Sequence, residues 1–462
     1  MRTILFVLFS MLLIAQPTMA AEPDFAAAAK ASRALLAELV AADTSNPPGN
    51  EARAVAIGKK HLEAAGIEVH TSRFAPGREN LVARLRGDGS APPILLLAHI
   101  DVVGADAAAW DTPPHELIER DGYLYGRGAS DDLAMASVEL IVLEELKKNG
   151  IALKRDIILA WTGDEESGGA GIQWILENEP ETIRAAVALN EGGGVRLDAS
   201  GKPVRIDLQT AEKIYQDFTL RAHGPTGHSS VPLDDNAIYR LARALSAIEG
   251  HRFPARLLPV TRAWMQGRAS LETAELAATM NALTEAKGEL PAEALANALA
   301  DPLLAASLRT TCIATLIEGG TRVNALPGSA EANLNCRILP DSSPEAVRQV
   351  LVRLIDDPAI EIIASSEFGF GEPSPIGGVT PAAIRTIAEA MWPGIKIIPF
   401  MSRGATDSRF LRAAGIPAYG ISPVAIGEED GRRAHGINER IPAASLEPGV
   451  EFLYRLIVEL AG

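Results

Sequence analysis

The chain has 462 residues, which is enough for two or three domains of ordinary size. It carries 43 lysine and arginine residues against 59 aspartate and glutamate residues, a formal net charge of −16. Nucleic-acid binding needs a dense cationic surface, so this balance gives no support to a nucleic-acid partner. Hydrophobic residues make up 47% of the chain, as in a globular protein with a substantial core. Two cysteines are too few for a disulfide scaffold or a cysteine-ligated zinc finger.

The first 20 residues have the pattern of a secretory signal peptide. Arg2 precedes an apolar stretch over residues 4–15, and the small residues Thr18 and Ala20 suit a cleavage site. The stretch is shorter than the roughly 20 apolar residues that a membrane span needs, and no later segment predicts a span. We therefore expect residues 1–20 to be a cleaved signal peptide and the mature protein, from Ala21, to be secreted or periplasmic. A buried N-terminal helix is the alternative.

The first part of the mature chain alternates helices with buried strands. Helical spacing of apolar residues predicts helices over residues 25–40, 51–65, 135–149 and 171–179. Continuous apolar runs predict strands buried on both faces at residues 94–98, 157–161 and 185–189. This alternation predicts an α/β fold with a mixed, largely parallel sheet flanked by helices.

The pattern changes after residue 213, which predicts a second domain inserted into the first. The predicted elements of this insert are a strand (217–222), a helix (236–249), two strands (311–316 and 331–338), a helix (344–356) and a strand (360–365). That order matches a ferredoxin-like α+β unit. A helix (381–391) and short strands (395–399 and 418–421) then resume the α/β pattern. We expect one domain from residues 21–212 and 371–462, interrupted by an insert at 213–370 with a helical elaboration at 252–308.

Acidic and imidazole side chains follow the three buried strands of the first domain. They are His99 and Asp101 after the first strand, Asp164, Glu165 and Glu166 after the second, and Glu191 after the third. Ligands of open α/β sheets bind at the carboxyl ends of the strands, so these side chains converge on one edge. Imidazole with carboxylates and without thiolates favours zinc, cobalt or manganese. The acids are too many for one tetrahedral ion, which favours two ions that share a carboxylate and activate one water.

Five motifs of the chain, in order, resemble those of a known hydrolase family. They are His-Ile-Asp at 99–101, Gly-Arg-Gly-Ala-Ser-Asp at 126–131, Glu-Glu at 165–166, Glu191, and His-Gly-Ile-Asn-Glu at 435–439. The sequence resembles the dinuclear-zinc hydrolases that include aminoacylase, carboxypeptidase G, succinyl-diaminopimelate desuccinylase and carnosinase (peptidase family M-twenty). The resemblance covers nearly the whole mature chain. It implies a zinc-exopeptidase-like α/β domain with an inserted lid and dimerisation domain.

The resemblance also implies roles for the motif residues. His99, Glu191 and the bridging Asp131 would hold one zinc ion, and Asp131, Glu166 and His435 the other. Asp101 would orient the imidazole of His99, and Glu165 would be the general base. Asp132 remains an alternative bridge, and Glu165 and Glu166 could exchange roles. Leu133 stands where the family often has lysine.

The insert supplies further candidates by the same resemblance. His228, in Gly-Pro-Thr-Gly-His-Ser-Ser at 224–230, resembles the lid histidine that stabilises the oxyanion from the partner subunit of a dimer. Asn324 and Arg337 resemble residues that bind the substrate carbonyl and carboxylate, and Arg409 lies in a matching motif at 406–409. An exposed loop histidine without a role and a surface ion pair of Arg337 are the alternatives. Ser-Arg at 402–403 replaces the Pro-Gly that the family would place there.

Cys312 and Cys336 lie on two predicted strands that are equally distant from a turn at Asn324. A hairpin would place the two thiols opposite each other, and disulfides persist in exported proteins. We expect a disulfide between them; two buried reduced thiols are the alternative.

These features predict an exported metal-dependent hydrolase that cleaves the amide bond of a peptide or an N-acyl amino acid. Two zinc ions, or cobalt or manganese in their place, would activate the water. A homodimer through the lid is implied by the resemblance. A catalytically inactive binding protein on the same scaffold and a structural calcium-binding protein are alternatives, although calcium prefers oxygen ligands to imidazole.

Overall fold

The computed structural model describes residues 22–231, 233–365 and 371–462. The expected signal peptide lies outside these residues. Across the three described ranges, the helices all fall short of the length and apolar character that crossing a bilayer requires.

The described helices are α1 (Phe25–Ala41), α2 (Ala52–Ala64), α3 (Leu133–Lys148), α4 (Ala170–Asn178), α5 (Ala237–Gly250), α6 (Pro259–Arg268), α7 (Ala274–Glu285), α8 (Ala292–Ala300), α9 (Pro302–Leu308), α10 (Pro344–Ile355), α11 (Val379–Met391), α12 (Ser408–Ala413), α13 (Glu428–Gly431) and α14 (Leu446–Ala461). The described strands are β1 (Ser45–Asn46), β2 (Glu68–Ala75), β3 (Arg78–Leu85), β4 (Ile94–His99), β5 (Val102–Val103), β6 (Ile118–Arg120), β7 (Tyr123–Tyr125), β8 (Ile157–Thr162), β9 (Val187–Leu197), β10 (Pro203–Glu212), β11 (Ile214–His223), β12 (Gly227–His228), β13 (Thr311–Gly319), β14 (Ala325–Leu326), β15 (Ser329–Ile338), β16 (Ile360–Ala364), β17 (Lys396–Ser402), β18 (Ala418–Gly427) and β19 (Arg440–Pro442).

The central sheet has eight strands in the order β17-β10-β18-β9-β4-β8-β3-β2. Its inner strands β18, β9, β4 and β8 run parallel, and β3 and β2 join antiparallel at one edge. Every residue of β4 and β8 is buried, because α1, α3 and α14 cover one face and α4 and α12 cover the other. The expected mixed sheet flanked by helices is confirmed, and its parallel part carries the strands that lead to the acidic residues.

The inserted domain has a four-stranded antiparallel sheet in the order β13-β15-β11-β16. Helices α5 and α10 pack on this sheet around a core that includes Phe218, Leu241 and Leu334. The chain order, strand-helix-strand-strand-helix-strand, is the ferredoxin-like order that the sequence predicts. Cys312 and Cys336 are paired directly across β13 and β15 and are joined by a disulfide.

The helical elaboration consists of α6 to α9 and has a small core of its own around Met265, Met280 and Leu304. Helix α6 packs closely on β17 of the central sheet, where a Cβ at Gly267 would lie 3.0 Å from the side chain of Ile398. The buried ammonium of Lys213, at the junction of the two domains, donates to the carbonyl oxygens of Ala306 and Arg309 at 2.8 and 2.7 Å. The elaboration is therefore packed beside the central sheet, although it belongs to the insert in sequence.

Two parts of the central sheet differ from the sequence expectation. Strands β2, β3 and β10 and helix α14 were not predicted; β2, for example, is an edge strand with alternating exposure and no apolar run. Strand β9 continues beyond Leu189 to Leu197. The continuation needs glycine, because a Cβ at Gly193 would lie 2.3 Å from the carbonyl oxygens of Asp207 and Gly420. Glu191 therefore lies within the strand and not after its end.

Candidate metal centre

The imidazole of His99 is held in one orientation at the end of β4. Its Nδ1 donates to the backbone carbonyl oxygen of Asp101 at 2.9 Å. A carbonyl oxygen can only accept, so Nδ1 carries a proton and Nε2 is the nitrogen that remains for a metal ion. Nε2 lies 3.0 Å from Oδ1 of Asp131. The buried ring thus presents its ligand nitrogen to the carboxylates, as in a histidine prepared for a metal ion.

Asp131 lies between two imidazoles. Its Oδ1 faces His99, and its Oδ2 lies 3.1 Å from Nε2 of His435. The same nitrogen of His435 is 2.9 Å from Oε2 of Glu166. Asp131, and not its neighbour Asp132, therefore has the two-sided position of a bridging carboxylate. Ligand atoms of His99, Asp131 and Glu166 all lie within 4.8 Å of one another.

Glu165 and Glu191 lie near these residues. The group that we call the acidic ring consists of His99, Asp131, Glu165, Glu166, Glu191 and His435. Burial, and then the charges of neighbouring carboxylates, raise the pKa of both groups well above the usual value. Burial opposes ionisation of Asp131 as well, but the imidazoles of His435 and His99 lower its pKa. The structure thus brings four of the five residues expected to bind metal into direct contact, namely His99, Asp131, Glu166 and His435. The fifth, Glu191, is close enough for the charges of Glu165 and Asp131 to raise its pKa.

The donor set fits divalent cations of the zinc type. Two imidazoles and three carboxylates are typical ligands of zinc, cobalt and manganese. Oε1 of Glu166 is buried without a hydrogen-bond partner among the described residues. A buried oxygen without a partner is costly unless a ligand satisfies it. Several carboxylates in one buried site also repel one another, and a cation would remove that repulsion.

Asp101 acts on the loop after β8 more than on the ring of His99. Its Oδ1 lies 3.7 Å from Nδ1 of His99, beyond hydrogen-bond length. The same carboxylate accepts from the backbone N–H groups of Glu165 and Glu166 at 3.1 and 3.3 Å, and from Nδ2 of Asn46 at 2.8 Å. The backbone of Asp101 therefore orients His99, and its side chain positions the two glutamates.

Glu439 is a positioning residue to which sequence reasoning assigned no role. Its Oε1 accepts from the N–H groups of Ser130 and Asp131 at 2.7 and 3.0 Å. Its Oε2 accepts from the N–H of Gly128 at 2.9 Å and from Nη1 of Arg127 at 2.7 Å. Glu439 thus holds the loop that carries Asp131 from the segment that carries His435. A signal for this contact was present in the sequence: Arg127 and Glu439 carry opposite charges and lie in two of the five motifs.

Asp407 is a second residue that sequence reasoning left without a role. Its Oδ2 accepts from Oγ1 of Thr162, the last residue of β8, at 2.7 Å. Burial raises its pKa to about 6, and its charge in turn raises the pKa of Glu165. The motif at 406–409 therefore reaches the acidic ring through Asp407.

The lid candidates His228 and Asn324 lie apart from the acidic ring. His228 is exposed on β12, and its Nδ1 is 2.7 Å from Oγ of Ser230. Among the described residues, the hydrogen-bond partners of His228 do not include any residue of the acidic ring. Asn324 is exposed in the turn before β14, and its carbonyl oxygen accepts from the N–H of Ser229. The structure does not bring either side chain to the ring within this subunit.

Four cationic side chains gather at the junction of the two domains: Lys213, Arg337, Arg403 and Arg409. Nη1 of Arg337 donates to the carbonyl oxygen of Arg403 at 3.3 Å, and its guanidinium lies 4.5 Å from the ring centre of Tyr215. Burial lowers the pKa of Lys213 to about 7, and the positive charges of Arg337 and Arg403 contribute to the same shift. Nη2 of Arg409 donates to the carbonyl oxygen of Gly168, in the loop that follows Glu166, at 3.4 Å. This junction cluster is therefore next to the acidic ring.

Comparison with known proteins agrees with this geometry. Residues 95–459 match the family model described as peptidase family M20/M25/M40. The chain belongs to this family. The match includes the strands of the central sheet from β4 onward and every residue of the acidic ring.

Curated relatives within the family cover most of the chain. The human protein described as N-fatty-acyl-amino acid synthase/hydrolase PM20D1 is 30% identical over 394 residues, with 80% of this chain and 74% of that protein covered. Rat aminoacylase-1A is 26% identical, with 90% and 92% covered. The probable carboxypeptidase S-like 2 of Dictyostelium discoideum is 29% identical, with 82% and 74% covered.

Solved structures of the family share the fold. A metallo-carboxypeptidase of this family from Sulfolobus solfataricus has a TM-score of 0.72 at 20% identity, with 92% of this chain and 98% of that chain covered. Human carnosine dipeptidase 1 has a TM-score of 0.63 at 18% identity, with 94% and 98% covered. With these findings the expected enzyme class, a metallopeptidase or amidohydrolase, is confirmed.

Replacing Glu439 by glutamine should weaken metal binding. The amide keeps the shape of the side chain but turns a donor NH₂ group toward N–H donors, so the loop of Asp131 loses one of its anchors. We expect about 10- to 100-fold weaker binding of zinc, the usual cost of losing a residue that orients metal ligands. Competition with a chromophoric chelator measures it.

The matched control is Glu428→Gln, which changes an exposed carboxylate whose partner is Arg432. Equal zinc affinity of the two variants would contradict the positioning role of Glu439.

Proposed function

We propose that the protein hydrolyses the amide bond of N-acyl amino acids with two zinc ions held by the acidic ring. Both PM20D1 and aminoacylase-1A, which cover 80–90% of this chain, carry names of this substrate class or activity. The single observation that carries the proposal is the position of Asp131 between the imidazoles of His99 and His435. His99, Glu191 and Asp131 would hold one ion, and Asp131, Glu166 and His435 the other.

The junction cluster supports a substrate with a free carboxylate. An N-acyl amino acid carries that carboxylate two bonds from its amide nitrogen, so recognition needs cations close to the metal centre. Arg409 contacts the loop of Glu166 through Gly168, and Arg337 is near Arg409. Arginine suits carboxylates because its donors form a planar fork. A carboxyl-terminal peptide bond has the same arrangement of groups, so a carboxypeptidase activity would use the same site.

Glu165 has the properties of the general base in this proposal. Two zinc ions, when bound, would acidify the attacking water and polarise the scissile carbonyl. Burial and the neighbouring charges of Asp407 and Asp131 raise the pKa of Glu165, which favours the acceptance of a proton by this carboxylate. Glu165 would take the proton from the attacking water and pass it to the leaving amine.

We also propose a homodimer formed through the lid. Strand β13 is an edge strand, and its Ile313, Leu316 and Ile317 are 63%, 69% and 67% exposed. Exposed apolar edge strands are sites of pairing with another chain. In such a dimer, His228 would be free to donate to the oxyanion in the partner's site, since it makes no contact with the ring of its own subunit.

Export is proposed from the pattern of residues 1–20 and supported by the Cys312–Cys336 disulfide, because disulfides persist in oxidising compartments. Mass spectrometry of the protein expressed from the full gene tests this. A mature N-terminus at Ala21 in the exported fraction is expected, and retention of the intact N-terminus inside the cell would refute it.

Glu165→Gln should abolish turnover and spare metal content. The amide cannot accept the proton, so we expect kcat on an N-acyl amino acid to fall by about 10²–10⁴-fold, the usual contribution of a general base. Zinc content by atomic emission should stay the same, because the ligands are unchanged. The control is Glu181→Gln, an exposed carboxylate paired with Arg184. Unchanged turnover in Glu165→Gln would overturn the proposed function.

Mixing two inactive variants tests the dimer. His228→Ala and Glu165→Gln should each be nearly inactive, and their mixture should regain activity because one hybrid site has an intact Glu165 and the partner's His228. The same mixture made in a Leu316→Arg background should stay inactive and elute as monomers in size-exclusion chromatography. Val352→Arg, on the exposed side of α10, is the matched control and should stay dimeric. Failure of the mixture to regain activity would contradict a role of His228 across the interface.

A further inference from the structure

The loop that carries Glu165 and Glu166 closes on the residue before them, Asp164. The backbone of Asp164 is left-handed, with a φ of 71°, a conformation that aspartate adopts more readily than most residues with a side chain. Its Oδ2 accepts from the N–H of Ala170, the first residue of α4, at 3.1 Å. Its carbonyl oxygen accepts from three successive N–H groups at 3.3, 2.9 and 2.5 Å, those of Ser167, Gly168 and Gly169. One residue thus fixes both the turn after Glu166 and the start of α4.

Two side chains from the beginning of the chain hold the other oxygen of the Asp164 carboxylate. Nη1 of Arg78, the first residue of β3, donates to Oδ1 of Asp164 at 2.7 Å. Nδ2 of Asn46 donates to the same oxygen at 3.1 Å and to Oδ2 of Asp101 at 2.8 Å. Asp101 accepts from the backbone of the two glutamates. The amide of Asn46 therefore joins the two carboxylates that hold this loop.

Arg78 is fixed in turn by a buried carboxylate. Its Nε lies 3.1 and 3.0 Å from the two carboxylate oxygens of Glu51, and its Nη2 also donates to Glu51. Glu51 is fully buried, and the side chain of Arg78 is 14% exposed. A Cβ at Gly49 would lie 2.3 Å from Nε of Arg78, and a Cβ at Gly163 would lie 2.8 Å from Oε1 of Glu51. The pair is thus packed directly against backbone that a larger residue would displace.

The guanidinium of Arg78 serves two carboxylates at once. A buried charge is costly unless it is paired, and the separate N–H groups of arginine can pair with Glu51 and Asp164 together. Asn46, Glu51 and Arg78 all precede residue 95, where the match to the family model begins. The segments before the matched range therefore supply the contacts that hold the loop of the glutamates.

We propose that Asp164, held by Arg78 and Asn46, is a positioning residue for the general base Glu165. The proposal rests on the proposed function only in naming Glu165 as the base. Proton transfer depends steeply on the position of the base, so a small displacement of the loop lowers the rate of the chemical step. The substrate carboxylate is assigned to the junction cluster, to which Asp164 does not belong. Loss of Asp164 therefore acts on kcat more than on KM.

The test replaces Asp164 by asparagine in the full-length, zinc-saturated protein. Asparagine keeps the size and the tolerance of a left-handed backbone but loses the charge that pairs with Arg78. On an N-acyl amino acid that the wild-type enzyme hydrolyses, we expect kcat to fall by about 10- to 100-fold and KM to stay within about twofold.

The matched control is Asp156→Asn. Asp156 lies directly before β8, at the opposite end of the strand from Asp164, and pairs with Arg84 of β3 at 3.0 Å. Its side chain is 15% exposed, against 13% for Asp164. The control removes a comparable ion pair far from the glutamates, and its kcat should stay close to that of the wild type.

Two further measurements separate positioning of the base from a general loss of structure. In the Glu165→Gln background, Asp164→Asn should lower kcat by no more than about twofold, because the base that it positions is already gone. Hydrogen–deuterium exchange of the peptide spanning residues 163–170 should be about tenfold faster or more in Asp164→Asn, the scale expected for loss of a hydrogen bond to a charged group. Exchange of this peptide should be unchanged in Asp156→Asn.

Arg78→Lys keeps the test decisive if Asp164→Asn fails to fold. Lysine retains the positive charge beside Glu51, but its single ammonium does not reproduce the fork that contacts Glu51 and Asp164 together. We expect kcat to fall and exchange of the loop to rise, as in Asp164→Asn. Arg84→Lys, which makes the same change at the partner of Asp156, is the control and should show neither effect.

Equal effects of the Asp164 and Asp156 substitutions on kcat and exchange would overturn the positioning role. An undiminished effect of Asp164→Asn in the Glu165→Gln background would overturn it as well, since Asp164 would then act through another group. If the wild-type enzyme hydrolyses no N-acyl amino acid, the proposed function fails, and the exchange comparison still decides whether Asp164 holds the loop.

Discussion

The structure of the centre depends on one electrostatic constraint, the enclosure of several carboxylates in a single buried site. Asp131 and Glu166 lie together with Glu165 and Glu191 near them, and burial raises the pKa of Glu165 and Glu191. Like charges repel strongly where water is excluded. The two imidazoles offset part of this repulsion at Asp131, and bound divalent cations would offset more of it. The acids that repel one another in this site are therefore the same groups that would bind the metal.

The surrounding backbone keeps these charges in place. Two buried carboxylates, Asp101 and Glu439, accept hydrogen bonds from the N–H groups of the loops that carry the ligands. Each of them joins segments that are distant in sequence, since Glu439 lies more than 300 residues after Ser130 and Asp131. Because a buried N–H without a partner is costly, these loops have few alternative conformations. The geometry of the ring thus follows from hydrogen bonds to the backbone as much as from the ligands themselves.

The sequence predicted the parts of this arrangement that have a local signal. The apolar runs of β4 and β8 and the acids after them are contiguous in sequence, and the ferredoxin-like order of the insert follows from element order alone. Strand β2 could not be predicted in this way, because an exposed edge strand has no apolar run. The roles of Glu439 and Asp407 depend on contacts between distant segments. The continuation of β9 through Glu191 depends on a close approach of backbones at Gly193, which no periodicity of apolar residues reports.

The candidate metal ligands and several of the other candidate site residues lie in different domains. Every donor of the acidic ring belongs to the central-sheet domain, at the ends of β4 and β8, within β9, or in the loops before α3 and β19. The insert, in contrast, contributes Lys213 and Arg337 to the junction cluster and exposes His228. Changes in the insert would alter which substrate is held without moving a metal ligand. Under the proposed function, the insert is therefore where the substrate specificity of this chain is to be sought.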